Sequence, residues 1–248
     1  MKSLFLILSL SLALSGCGAK QDPAKQEKLA RLHYQMGIDA LNKGLLPKAF
    51  KELLESDQIR PGQPEVEDAL AYAWRLRGDL QKSEHYYRKS LSHAKRASTM
   101  NNYASLLIQM QQYEKAEKLL RQALEDPSYP NQDLVFINLG DALLEQGRFN
   151  DAIEAYRRAQ RFRPEQILPR IKEAEAYIRF NRLNYARALY ETLLRKNRDA
   201  RPVAQGLLRV LIKQNDLPAA RQMLRRFIHD TDNELDRAWA RDELEKLG

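Results

Sequence analysis

From residue 26 onward, apolar positions recur with the spacing of amphipathic α-helices, and the pattern as a whole repeats along the chain. The small residue that opens the second helix of each unit falls at Ala49, Ser83, Ala116, Ala152, Ala186 and Ala220, at intervals of 34, 33, 36, 34 and 34 residues. Twelve positions earlier stand Gly37, Ala71, Ala104, Gly140 and Ala174, then Leu208, which breaks the rule. Four positions after each small residue comes a large one: Leu53, Tyr87, Leu120, Tyr156, Tyr190 and Leu224. Antiparallel helices approach closely only where one presents Gly or Ala, so the small residues mark predicted crossing points and the large ones fill the groove beside them. Turn signals at Asn42-Lys43-Gly44, Gly78-Asp79, Gln146-Gly147 and Asn215-Asp216 separate first from second helices. Six helix pairs follow, at about 30–63, 64–96, 97–132, 133–166, 167–200 and 201–231, which together with their lead-in fill residues 26–231. After the sixth, Thr231-x-x-Glu234 reads as a capping box. It opens a helix over 232–248 that carries Leu235, Ala238, Trp239, Leu244 and Leu247 at helical spacing.

This small–large pattern resembles the tetratricopeptide (TPR) repeat, a helix–turn–helix of about 34 residues. Pro61 and Pro164 occupy that family's closing proline position in units one and four. The resemblance implies an all-α fold, a right-handed superhelical solenoid of six TPR helix pairs with a C-terminal capping helix. A lone hairpin cannot bury its apolar face, whereas stacked hairpins share one core and need a polar-faced cap at the end. Trp239 is then expected to be a packing residue. The resemblance also places the partner-binding groove on the first helices, three residues before the small residue and one, four and five after it. Tyr34, Ile38, Leu41 and Asn42 would stand there in unit one, Asp68, Tyr72, Arg75 and Leu76 in unit two, and Asn101 in unit three. The Tyr34–Ile38–Leu41–Tyr72 group is the most apolar and aromatic, as protein-binding patches are. The alternative is that these side chains pack on the neighbouring hairpin, since periodicity alone does not separate groove from core.

Ahead of the repeats, Met1 and Lys2 precede an apolar run from Leu4 to Leu14, then Ser15, Gly16 and Cys17, the one cysteine of the chain. The run is shorter than the roughly 20 apolar residues of a spanning helix but fits a secretory signal. Leu-Ser-Gly-Cys at 14–17 resembles the lipobox of bacterial lipoproteins, in which the chain is cut before the cysteine and that cysteine is acylated. The expected organisation is a signal peptide at 1–16, an acylated tether at 17–25, the repeats, and the cap. With Cys17 in the anchor, no thiol remains for a disulfide, a zinc site or a nucleophile. Lys and Arg number 41 against 33 acidic residues, a net charge of +8, but the two signs alternate along the chain as on solvated helix faces. Nucleic acid is therefore not an expected partner, and a mild attraction to anionic surfaces is. His33, His85, His93 and His229 form no chelating pair at i, i+4, and no phosphate loop or nucleophile elbow is present. Repeats and cap occupy the length, so no enzyme and no cofactor is expected beyond a diacylglycerol and an N-acyl chain on Cys17.

A lipobox cysteine before six such repeats resembles the pilotin lipoproteins of type IV pilus biogenesis. Asn101-Asn102-Tyr103-Ala104 resembles that family's Asn-Asn-Tyr-Gly, and Gln112-Tyr113-Glu114-Lys115-Ala116 its Tyr-x-x-Ala turn. Ser128-Tyr129-Pro130 with Phe136-x-Asn138-Leu139-Gly140 resembles a run between repeats three and four. The departures are Ala104 for Gly and a polar third-helix groove. The resemblance implies an adaptor that binds a secretin subunit in the periplasm, while its acyl chains engage the lipoprotein-sorting machinery and hold it in the outer membrane. Gly18 is not the Asp of inner-membrane retention, which favours that destination. The other reading is a periplasmic lipoprotein scaffold for cell-wall hydrolases or proteases. In the adaptor reading, Cys17→Ala is expected to leave folding and partner binding intact but abolish delivery. Membrane fractionation beside a pull-down checks this, and a membrane-bound Cys17→Ala protein would overturn the anchor assignment.

Overall fold

A computed structural model describes residues 22–248, which contain thirteen α-helices and no strand. The signal segment and Cys17 lie outside these residues. The chain divides into two compact units. The first ends at Pro61 and holds α1 (Pro23–Asn42) and α2 (Leu46–Ile59). The second, Gly62–Gly248, holds five helix pairs and a last helix; the first four pairs are α3 (Pro64–Arg77) with α4 (Leu80–His93), α5 (Ala97–Gln109) with α6 (Tyr113–Ala123), α7 (Gln132–Glu145) with α8 (Phe149–Phe162), and α9 (Leu168–Arg179) with α10 (Leu183–Lys196). A further pair, α11 (Arg201–Lys213) and α12 (Leu217–Asp230), and the terminal helix α13 (Glu234–Lys246) complete it. Six helix pairs and a last helix are the all-α architecture that the repeat pattern predicts. Within the second unit, α3, α5, α7, α9 and α11 stand side by side, and each second helix also packs on the next first helix.

The small–large rule is the packing rule. Ala71, Ala104 and Ala174 are fully buried, as are Leu53, Tyr87, Leu120, Tyr156, Tyr190 and Leu224. A methyl group on Gly37 would sit 2.6 Å from Leu53 Cγ, and one on Gly140 2.7 Å from Tyr156 Cδ1 and nearer still to Cε1. In α8 the buried stripe Phe149, Ala152, Ile153, Tyr156 and Ala159 follows the helical period, with Arg157, Arg158 and Arg161 outward. Two buried serines of the second helices bond to the backbone of the first. Ser56 Oγ donates to the Ala30 carbonyl at 2.8 Å, and Ser90 Oγ, at the same place in the next repeat, to the Pro64 carbonyl at 2.7 Å. The sixth unit keeps the rule in altered form. Leu208 is buried, and the missing small residue is Gly206, which faces back to the Tyr190 ring of the preceding pair.

Each hairpin turns through one residue in the left-handed region. Gly44, Gly78 and Gly147 hold it at φ 69, 89 and 74, and Gln111, Asn181 and Asn215 at 59, 55 and 58. The next residue's amide then reaches five back: Leu45 to Ala40, Asp79 to Trp74, Gln112 to Leu107, Arg148 to Leu143, Arg182 to Tyr177 and Asp216 to Leu211, all at 2.8–3.0 Å. This is the Schellman closure of a helix C-terminus. Asn accepts the left-handed region readily, whereas Gln111 holds it at a cost of about 1 kcal/mol.

Two boundaries differ from expectation. Helix α1 starts at Pro23, because Asp22 Oδ1 accepts the Ala24 amide at 3.0 Å and proline suits the first helical turn, so the last residues of the expected tether are helical. The last helix is capped not by Thr231 but by Asn233, whose Oδ1 accepts from Leu235 N and Asp236 N. Thr231 Oγ1 instead accepts from Asn233 N. Leu235 is 77% exposed, so the cap seats through Trp239, which meets Phe227 edge to face at 5.7 Å, and through Ala240, Leu244 and Leu247. Gly140→Ala is expected to lower stability by about 2 kcal/mol through overpacking against Tyr156, read from chemical denaturation. A change under about 0.5 kcal/mol would show that α7 and α8 part freely.

Candidate functional site

The first helices carry the candidate face. On α1, His33 Nδ1 lies 2.8 Å from Glu52 Oε2 on α2 and ties the pair together. Tyr34 and Ile38 are half-buried, Leu41 is buried and Asn42 is exposed. On α3, Tyr72 and Leu76 are adjacent on one helix face at i, i+4, and are 39% and 46% exposed. The Arg75 guanidinium stands 5.8 Å from the Tyr72 ring centre and donates to Ser105 Oγ on α5 at 3.1 Å. That contact fixes the arginine beside the aromatic ring and leaves the ring open to solvent.

The expected groove set is thus only partly an open face. Leu41 belongs to the interior of the first hairpin, which is where position i+4 from the buried Gly37 points on a short-pitched stripe. Asn101 is also buried, and its Oδ1 accepts from Asn138 Nδ2 on α7 at 2.8 Å. Neither lines an exposed groove. The Tyr34–Ile38–Leu41–Tyr72 group divides between the two compact units, the first three residues in one and Tyr72 in the other.

A feature absent from the sequence reading runs along the same face. Asn102 on α5 donates to Asp68 Oδ2 on α3 at 3.3 Å, and Asn138 on α7 to Asn101 on α5. Lys172 on α9 reaches Asp141 on α7 at 3.2 Å, and Arg179 on α9 grips Glu145 on α7 with both nitrogens, Nη2 to Oε2 at 2.9 Å. This polar ladder joins α3, α5, α7 and α9 to one another. The sequence signal was available, since each pair couples complementary side chains about one repeat apart. Local periodicity does not reveal it.

The ladder also sets protonation. Hydrogen bonding to Arg179 holds the Glu145 carboxyl below its usual range. Burial pushes the Tyr156 hydroxyl up, and Asp141, which accepts from that hydroxyl at 2.7 Å, adds to the effect. Burial likewise raises Asp68, whose Oδ1 is enclosed without a hydrogen-bond partner while Asn102 serves Oδ2. Among the described residues no cluster of three or more His, Cys, Asp or Glu stands where it could hold a metal. No described helix is long and apolar enough to cross a membrane. What the face presents is the exposed Tyr72 and Leu76, an arginine fixed beside them and a framework of paired polar groups.

Comparisons with known proteins agree with this architecture. Two tetratricopeptide repeat family models match residues 95–165 and 143–208. In sequence, the chain is 28% identical over 193 residues to the type IV pilus assembly protein PilF of Pseudomonas aeruginosa, covering 75% of this chain and 77% of that protein. Among solved structures, that of Pseudomonas aeruginosa PilF superposes with a TM-score of 0.70 at 22% identity, over 88% of this chain and 99% of the other. PilW, described as a widely conserved type IV pilus biogenesis factor, superposes with a TM-score of 0.75 at 15% identity, over 85% and 97%. Residues 95–208 thus carry tetratricopeptide repeats, and over three-quarters of its length the chain is similar to a type IV pilus assembly protein.

The Asp68 environment gives a pH signature. The unfolded chain releases the Asp68 proton near the ordinary value of 3.8, and the folded chain holds it to higher pH, so stability contributed by the protonated form is lost as pH rises through the raised folded value. Asp68→Asn removes this loss, and its stability relative to the parent is expected to improve between about pH 3.5 and 7. Denaturation midpoints of the two proteins across that range check it. A constant difference would show that Asp68 ionises alike in both states.

Proposed function

We propose that the chain is an outer-membrane-anchored adaptor of the pilotin kind, which binds a secretin subunit of the type IV pilus and promotes its targeting and assembly into multimers. The observation that carries this reading is the sequence relationship to a type IV pilus assembly protein across three-quarters of the chain. The chain's own features give it physical content. A TPR array recognises other proteins through side chains fixed on stacked helices, and the open Tyr72–Leu76 face beside Arg75 has the aromatic and guanidinium character of interface hot spots. The acyl groups expected on Cys17 supply the second half of the task. A single acyl chain holds a protein at a membrane only marginally, whereas a multiply acylated cysteine anchors it stably. A subunit gripped by the repeats would then travel with the lipid to the periplasmic side of the outer membrane.

The division of labour makes the reading testable in cells. Deletion of the gene is expected to deplete heat-resistant secretin multimers from the outer membrane, seen on gels of fractionated membranes. Multimers at normal abundance and location would overturn the proposal. In the wild-type background, Tyr72→Ser is expected to weaken secretin co-purification about tenfold, the size of one aromatic hot spot, with helical content unchanged. Undiminished co-purification would remove the α3 face from the binding site.

A further inference from the structure

The opposite side of the second unit carries a hollow that the first-helix face does not involve. Between the second helices α10 and α12, over α11 as a floor, lies a cavity of about 630 Å³. Its floor includes Leu207 and Leu211 from α11, with Phe227 of α12 as a wall. Its rim includes Arg195, Arg198 and Arg226, all exposed. The equivalent groove one repeat earlier is narrower, a cavity of about 210 Å³. There the positions matching Leu207 and Leu211 are Glu173 and Tyr177, and Arg157 on α8 reaches down to both, at 2.9 Å and 3.1 Å. An ion pair and a phenol thus take up part of the space between α8 and α10. In the last groove leucines stand at both floor positions, the residue matching Arg157 is Glu191, and the hollow is about three times larger.

The charge on its rim is also unbalanced. Along the second helices most arginines have an acidic partner: Arg121 with Glu117, Arg148 with Glu117 and Asp151, Arg158 and Arg161 with Glu154, Arg187 with Glu191 and Asp216. Arg195 bonds only to the Thr192 hydroxyl, and neither Arg198 nor Arg226 meets a carboxylate among the described residues. Glu191 and Asp230, the acids in the lining, are already engaged by Arg187 and His229.

From this geometry we infer a second docking site, for an acidic amphipathic peptide segment of a protein partner. Large apolar side chains of the segment enter between α10 and α12 against the half-buried Leu194 and Ala219, above the buried Leu207, Leu211 and Phe227, and its flanking carboxylates meet Arg195, Arg198 and Arg226. A concave apolar floor suits inserted side chains, and the volume lies in the range of small binding pockets, roughly 300–1,000 Å³. Guanidinium forks on the rim match carboxylates in bidentate fashion, which gives orientation as well as attraction. An anionic membrane would find the same charge but no protruding apolar surface to insert, since the apolar groups here are recessed. The site is separate from the α3 face, and its test stands whether or not a secretin is the partner there.

The test uses the full repeat-and-cap chain and a labelled synthetic peptide, followed by fluorescence anisotropy. The peptide is a helix-forming sequence of about four turns with Leu at i, i+3, i+4 and i+7 and Glu elsewhere. Saturable binding that weakens steeply with added salt is expected, together with a loss of about tenfold or more in the double variant Arg198→Glu, Arg226→Glu. Both arginines are exposed, so the variant is expected to melt as the parent does; Arg198→Gln with Arg226→Gln, which removes charge without reversing it, is expected to fall between the two. No saturable binding, equal binding by the reversal variant, or equal binding of a peptide with Lys in place of Glu would each overturn the proposal. So would binding confined to phosphatidylglycerol vesicles, or a peptide-insensitive dimer that closes the hollow.

Discussion

The fold rests on a steric condition at the centre of each hairpin. Where α7 passes α8, no side chain separates the Gly140 backbone from the Tyr156 ring, and where α1 passes α2 the same holds for Gly37 and Leu53. An alanine suffices at Ala71, Ala104 and Ala174, so the tolerance of the crossing is about one methyl group. Interiors packed at crystal-like density transmit such a restriction, because a shift of one helix must displace its neighbour as well. The Tyr190–Gly206 contact extends the condition from within a hairpin to between hairpins. Close approach there brings α11 against α10, and the leucines that follow Gly206 on α11 become the floor of the hollow beside α12.

Once the helices are so constrained, the side chains of the first-helix face are not free to serve a partner independently. Asp68, Asn101, Asp141 and Glu145 are each engaged by the next helix. Half-satisfied polar networks in partly enclosed surroundings are unfavourable, and the ladder pairs these groups except at Asp68, where one oxygen stays enclosed without a partner. The groups left over for recognition are those the ladder passes by, Tyr72 and Leu76 above all. A partner landing on α3 would therefore meet a pre-ordered surface whose ordering entropy is already committed in the free protein, and preorganisation of this kind favours affinity.

Much of this was legible in the chain. The twelve-residue offset from Gly37 to Ala49, repeated at Gly140 to Ala152 and broken only at Leu208, reports crossing geometry directly, because in the first five pairs only Gly or Ala stands at the close approach. The helix starts were less legible: Thr231 and Glu234 match a capping box in spacing, yet Asn233 captures the amides because its carboxamide oxygen reaches two of them. Leu41 and Asn101 illustrate a second limit. A residue's position on the helix tells which way it points, but whether that direction meets water depends on what the neighbouring repeat supplies, here Asn138 for Asn101. Ladder partners about one repeat apart, and a hollow created by Leu207 and Leu211 where the previous repeat has Glu173 and Tyr177, are properties of the stacking and appear only when repeats are compared with one another.

The left-handed turn has a further meaning for the chain's length. Hairpin closure at Gly44, Gly78, Gln111, Gly147, Asn181 and Asn215 is the same in every repeat, and so is the offset between the small residues it joins. The variation in repeat length falls between one hairpin's crossing and the next, and the longest connection there, between α6 and α7, is folded over Asp126, whose Oδ1 accepts from both the Ser128 amide and its hydroxyl. Length is thus rigidly metered inside a hairpin and elastic between hairpins. The Asp126–Pro130 segment is accordingly the natural splice point of the array, where a reporter loop or an additional epitope could be accommodated without retuning any helix crossing.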